Sequence, residues 1–130
     1  MPAVCDTHAL VWFITEDPRL SPRARIAMER CDRGEDSLSI PCIVFFEILY
    51  LVEKSRVSVG FVDVLHSVAG SLNFRVEPLC VPIIEACQRI PREAVKDPWD
   101  RIIAATAMHL GHPLITRDEN LKDLGIETIW

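Results

Sequence analysis

Short apolar runs that end in an acid and pass at once into helical sequence recur along this chain, and that alternation constrains its fold more than any other feature. Ala3-Val4-Cys5 runs into Asp6, followed by Thr7-His8 and the apolar stretch Ala9-Leu10-Val11-Trp12-Phe13-Ile14. Pro113-Leu114-Ile115-Thr116 likewise runs into Arg117-Asp118 and a helical turn over residues 120–124. Three apolar residues are too few for a helix but suffice for a buried strand. Strands that alternate with helices imply a parallel sheet covered on both faces. The expected fold is therefore α/β, a three-layer α/β/α sandwich around a central, mainly parallel sheet.

The remaining segments fit that reading. Ser21-Pro22 is an N-cap followed by proline at the first helical position, opening a helix to about Asp32 with Ala24, Ala27, Met28 and Cys31 on one face. Residues 37–40 read as a second strand, after which Pro41 starts a long apolar helix. Helical spacing returns over 58–69, a strand over 74–77 and a helix over 81–90 that Pro91 closes. Asp97-Pro98-Trp99-Asp100 caps a helix through Leu110, with Gly111 as its stop, and residues 127–130 form an edge or terminal strand. With 130 residues and no linker, repeat or low-complexity tract, residues 1–130 are expected to form a single domain.

Bulk properties exclude several classes. No apolar run approaches the ~20 residues needed to cross a bilayer, and no basic leader precedes Asp6, so export and membrane insertion are not expected. Five cysteines without a CxxC pair suggest a reducing cytoplasm, with Cys5 and Cys42 read as small core residues. The net charge of −5 argues against nucleic-acid binding driven by the whole surface. Phosphates would need local cations, for which Arg19, Arg23, Arg25, Lys54, Arg56, Arg101 and Arg117 are candidates, although a solvated surface charge is the ordinary role of each.

Four acids stand out: Asp6, Glu47, Asp100 and Asp118. Each lies beside an apolar run, and desolvating a lone carboxylate costs several kcal/mol. Glu47 is the anomaly, because Val44 and Leu51 place it beside a buried helix face and it has no capping explanation. Asp6 and Asp118 fall at strand ends, where α/β sheets bind ligands, and Asp100 opens a helix aimed at the same side. A site of carboxylate oxygens suits Mg²⁺ or Mn²⁺, and those ions suit phosphodiester chemistry. Against this stand plain structural roles: Asp97, Asp100 and Asp118 as helix caps, and Asp6 bonding a nearby amide. His8 reads as packing at a helix head, and His109 and His112 as surface groups. The aromatics Trp12, Phe13, Phe45, Phe46, Tyr50 and Phe61 read as core or dimer interface, since they are not interleaved with basic residues as stacking platforms are.

The segments Cys5-Asp6-Thr7-His8-Ala9-Leu10-Val11-Trp12, Phe46-Glu47-Ile48, Asp97-Pro98-Trp99-Asp100-Arg101-Ile102-Ile103-Ala104-Ala105-Thr106-Ala107 and Leu114-Ile115-Thr116-Arg117-Asp118 resemble the PIN-domain ribonucleases, in particular the VapC-type toxins. The resemblance implies an Mg²⁺-dependent (or Mn²⁺-dependent) endoribonuclease, the toxin of a toxin–antitoxin pair. Asp6, Glu47, Asp100 and Asp118 would be both catalytic and metal ligands, with Thr116, Arg117 and Arg101 at the substrate. It also implies an RNA substrate, a cognate antitoxin and a homodimer. One departure is visible: many relatives carry small hydroxyl residues ahead of the glutamate, where this chain has Pro41 and Val44, so the resemblance leaves open what holds Glu47. Two rivals remain. A receiver-like signalling domain needs paired acids near the first strand and a late lysine, whereas Asp6 stands alone and position 117 is arginine. A PIN-like fold acting as a non-catalytic RNA- or protein-binding module is the alternative from another class.

Overall fold

The computed structural model describes all 130 residues. Five strands, β1 (Ala3–Cys5), β2 (Leu38–Pro41), β3 (Phe74–Glu77), β4 (Leu114–Ile115) and β5 (Thr128–Ile129), form one sheet in the order β3-β2-β1-β4-β5. Every pairing is parallel. The helices are α1 (Thr7–Ile14), α2 (Pro22–Asp32), α3 (Cys42–Glu53), α4 (Phe61–Gly70), α5 (Val81–Cys87) and α6 (Pro98–Leu110), and a 3₁₀ turn spans Glu119–Leu124. The expected α/β/α sandwich is thus present, with a wholly parallel sheet.

The central strand explains why the alternation was so informative. All three residues of β1 are buried, as expected of a strand covered on both faces. One hydrophobic cluster runs from β1 to the 3₁₀ turn and includes the fully buried Leu10, Ile40, Ile48, Ile103 and Ile115. Each such side chain contributes roughly 1.5–3 kcal/mol relative to exposure. The chain moves outward from β1 to β2 to β3, then returns to the other side of β1 for β4 and β5. Right-handed connections therefore set α5 and α6 on the opposite face from the earlier helices. The reversal of strand order between β1 and β4 opens a crevice at their carboxyl ends, which is where ligands of such sheets bind.

Three segments differ from expectation. The helix expected over 58–69 begins only at Phe61, because Val57 and Val59 pack against the core as irregular chain and Gly60 supplies the cap. The helix expected over 81–90 ends at Cys87. There the backbone tightens into i to i−3 bonds, with the N–H groups of Gln88, Arg89 and Ile90 donating to Glu85, Ala86 and Cys87, and the Arg101 side chain takes the carbonyls of Cys87 and Ile90 at 2.8 and 2.9 Å. Cys42, expected in the core, is exposed at the first position of α3, whereas Cys5 is buried. No helix is long and apolar enough to cross a membrane.

Candidate active site

Parallel pairing puts two of the acids side by side. Cys5 stands opposite Ile115, so Asp6 and Thr116 are the next residues of adjacent strands, and the Asp6 N–H donates to the Ile115 carbonyl at 3.2 Å. Asp6 is the N-cap of α1: its carboxylate accepts from the Ala9 N–H at 2.9 Å. The buried Thr116 hydroxyl, just past β4, is its neighbour and favours its charged form. That hydroxyl accepts in turn from the Asp118 N–H at 3.2 Å, while the Asp118 carboxylate accepts from the Asn120 N–H at 3.0 Å and caps the 3₁₀ turn. Capping accounts for part of what Asp6 and Asp118 do, but each has a second carboxylate oxygen left for the cleft.

The other two acids arrive from helices. Glu47 lies mid-way along α3, and its Oε1 accepts from the hydroxyl of Thr7, the first residue of α1, at 2.6 Å. Thr7 is buried and Glu47 half-buried, so the donor end of the bond is kept from water. This contact supplies what Pro41 and Val44 do not: the glutamate is held from another helix. Asp100 sits in the first turn of α6 behind Asp97, whose carboxylate accepts from the Trp99 and Asp100 N–H groups at 2.8 and 3.3 Å. Trp99 and Phe46, the residues just ahead of Asp100 and Glu47, meet edge-on with ring centroids 5.7 Å apart. That aromatic contact joins α6 to α3 and brings the two acids to one wall.

Asp6, Glu47, Asp97, Asp100 and Asp118 line a cleft of about 530 Å³, together with His8, Trp12, Arg19, Thr116, Arg117 and Trp130. Asp100 is pushed up to about 6, first by loss of water at the cleft wall, then by the charges of Asp97, Glu47, Asp6 and Asp118. Asp6 is also raised, by burial, against the opposing pull of the Thr116 hydroxyl, the Ala9 hydrogen bond, His8 and Arg117. Carboxylates packed this way are under mutual repulsion that a cation relieves. The donor set is all oxygen and fits a hard divalent ion. No three of these side chains close on a single point.

The structure thus gathers all four acids expected from the sequence and adds Asp97. Arg117 lies at the same cleft. Thr116, expected at the substrate, also lines the cleft, and its hydroxyl accepts from the Asp118 N–H. Arg101 is turned away: its guanidinium holds the end of α5 and faces a separate groove shared with Arg92 and Lys96. Position 101 follows Asp100 by one residue, and one helical step rotates a side chain by about 100°, enough to take it off the acidic face. Thr7 was missed, as it is 40 residues from its partner and nothing local marks it. His8 does sit at the helix head, exposed and 5.4 Å from the Trp12 ring. The aromatic group divides: Trp12 and Phe45 are buried, whereas Phe46 and Tyr50 are about half exposed.

A five-stranded parallel sheet with acids converging at its switch point defines a class of fold and site that comparison makes specific. Residues 3–127 match the PIN domain family, and the chain belongs to it. It is 28% identical over 117 residues to Ribonuclease VapC22 of Mycobacterium tuberculosis, covering 90% of this chain and 87% of that protein. Among solved structures it resembles VapBC2 from Rickettsia felis bound to a promoter DNA fragment, with a TM-score of 0.71 at 16% identity over 98% of this chain and 97% of the other. A toxin–antitoxin complex from Klebsiella pneumoniae gives a TM-score of 0.61 at 22% identity over 92% and 89%. At such identities the structural likenesses establish the fold.

Proposed function

We propose that this protein is a metal-dependent endoribonuclease, the toxin of a toxin–antitoxin pair acting in the cytoplasm. The observation that carries the reading is the convergence of Asp6, Glu47, Asp100 and Asp118 on one cleft, with Asp100 raised by the charges of the other three as well as by Asp97. Support comes from the named activity of the Mycobacterium tuberculosis relative and from the toxin–antitoxin complexes among the structural neighbours. In this reading Asp6, Glu47, Asp100 and Asp118 hold Mg²⁺ or Mn²⁺. When bound, the ion supplies Lewis-acid polarisation of a phosphodiester and a more acidic water for hydrolysis.

The chain's own residues then have distinct tasks. Thr7 fixes the direction of the Glu47 carboxylate, the Ala9 N–H fixes that of Asp6, and Thr116 holds the Asp118 backbone. Hydrolysis leaves a 5′-phosphate and a 3′-hydroxyl. The chain works as a homodimer, and a small antitoxin silences it by occupying the cleft, where a delivered arginine competes with the metal for carboxylates.

The test is purified protein on total RNA in Mg²⁺ or in EDTA, beside the Asp100→Asn variant. Cleavage by the wild-type chain in Mg²⁺ alone, with new 5′-phosphate ends, is expected. RNA bound but never cut, in Mg²⁺ or Mn²⁺, would replace the enzyme with a binding module.

A further inference from the structure

An acidic bowl repels the polyanion it is proposed to cut, so the cations around it have to be placed with care. Only two arginines line the cleft, Arg19 and Arg117, and both lie on one side chain. Their guanidinium carbons are 4.8 and 4.7 Å from the centre of the Trp12 ring. Arg117 also reaches the Trp130 ring at 5.9 Å, and the two indoles meet edge-on with centroids 5.9 Å apart. Trp12 is 5% exposed, so its covered ring has no face left for a base. It is a support for the two cations.

Stacking engages the flat face of a guanidinium and leaves the N–H donors in its plane for a phosphate. Arg19 gives Nε and Nη2 to Asp17, at 3.1 and 2.7 Å, and keeps its remaining donors. Arg117 takes part in none of the chain's ion pairs. Two guanidiniums held on one ring at the lining of the acidic cleft therefore keep donors that no residue of the chain takes.

We propose that Arg117 and Arg19, seated on Trp12 and backed by Trp130, clamp a backbone phosphate of single-stranded RNA that flanks the one being cut. This rests on the ribonuclease reading and gives its substrate a direction across the cleft: one phosphate at the acids, its neighbour at the arginines. Arg117 and Arg19 are binding residues, and Trp12 is a positioning residue.

The probe is a short single-stranded oligoribonucleotide with one neutral methylphosphonate linkage, moved stepwise along the strand. It is bound to the Asp100→Asn chain, which leaves it uncut, with Arg33→Ala as a control for loss of a surface charge. Arg117→Ala should weaken binding of the unmodified strand roughly tenfold and lower the salt slope by about 0.7. One methylphosphonate position next to the cut site should weaken the unsubstituted clamp by a similar factor, and at that position Arg117→Ala should add nothing. Arg117→Lys keeps the charge and the salt slope but loses the stacked, planar fork, so it should recover only part of the affinity. With Asp100 restored, Arg117→Ala should raise KM roughly tenfold and leave kcat within about twofold. Equal losses at every methylphosphonate position, or no loss at all, would overturn the clamp. So would a defect seen only in binding a protein partner. The two readings fail separately: a wild-type chain that cuts no RNA but loses affinity at one methylphosphonate position, through Arg117, loses the nuclease and keeps a phosphate clamp, and cutting without the pattern does the reverse.

Discussion

The two walls of the cleft hold acids in opposite ways. On the wall built from β1 and β4, Asp6 is raised by burial but has a threonine hydroxyl, a backbone amide, the His8 ring and the Arg117 guanidinium working against that rise. On the wall built from α3 and α6, Asp100 has no opposing influence: lost water and four negative charges all push it the same way, to about 6. The first wall is a finished piece of structure, and the second is strained until a cation arrives. The lesson is that repulsion need not be shared evenly over an acidic site. Here it is collected on a residue that keeps an open side to solvent, while the partners that fix geometry sit behind it.

The largest effect that tests this contrast is loss of activity when an acid on either wall becomes neutral. Asp6→Asn preserves the cap of α1, since asparagine caps as well as aspartate, and Asp100→Asn preserves shape. Both should lower kcat by more than roughly 100-fold, the upper range for losing an outer-shell partner of a metal site. Retained activity in Asp6→Asn alone would mean that the compensated wall is only structural. Next comes Thr7→Val, which keeps the volume of a buried side chain but removes the 2.6 Å bond to Glu47. We expect metal affinity or kcat to fall by roughly 10–100-fold. An unchanged value would show that Glu47 needs no anchor.

Arg101 marks the edge of the comparison, because it belongs to neither wall. Arg101→Ala removes two bonds to backbone carbonyls at the end of α5 and should destabilise by roughly 1–3 kcal/mol in denaturant unfolding. Steady-state parameters on RNA should not move. A raised KM without a stability change would return Arg101 to the substrate.

How much of this was legible in the chain depends on whether the signal was local. β1, α1, α2 and α6 are marked by neighbours in sequence: an apolar run before Asp6, Ser21-Pro22, and Asp97-Pro98 with Gly111 at the far end. Placing Asp6 and Asp118 at adjacent strand ends needed only the alternation of elements and the rule for parallel sheets. Whatever depends on contact between distant segments stayed hidden. Thr7 shows no sign of its bond to Glu47, and the Phe46–Trp99 contact that sets two acids on one wall joins residues with no common pattern. The interleaving of arginine with tryptophan exists only in three dimensions, since Trp12, Arg19, Arg117 and Trp130 come from both ends of the chain. Arg101 misled for a related reason, as adjacency to an acid in sequence is separation around a helix.

The smallest expected effect is the most direct measure of the strain. Asp100 titrates near 6 in the folded chain and near its ordinary 3.8 when unfolded, so the folded state holds that proton more tightly. Stability contributed by this group is complete below about 4, falls as pH rises through 6, and stays lost above it. An amide does not titrate, so the metal-free Asp100→Asn protein should match the wild type near pH 4 and exceed it at pH 7.5. Because the residue is open to water, the gain should be modest, about 2–4 °C in Tm. Mg²⁺ should then reverse the ranking, since it binds the folded wild type better and stabilises it by mass action. Melting curves of both chains at the two pH values, in EDTA and in excess Mg²⁺, read all of this at once. If Asp100→Asn is no more stable than wild type at pH 7.5 without metal, the two walls are alike and repulsion is not concentrated at α6.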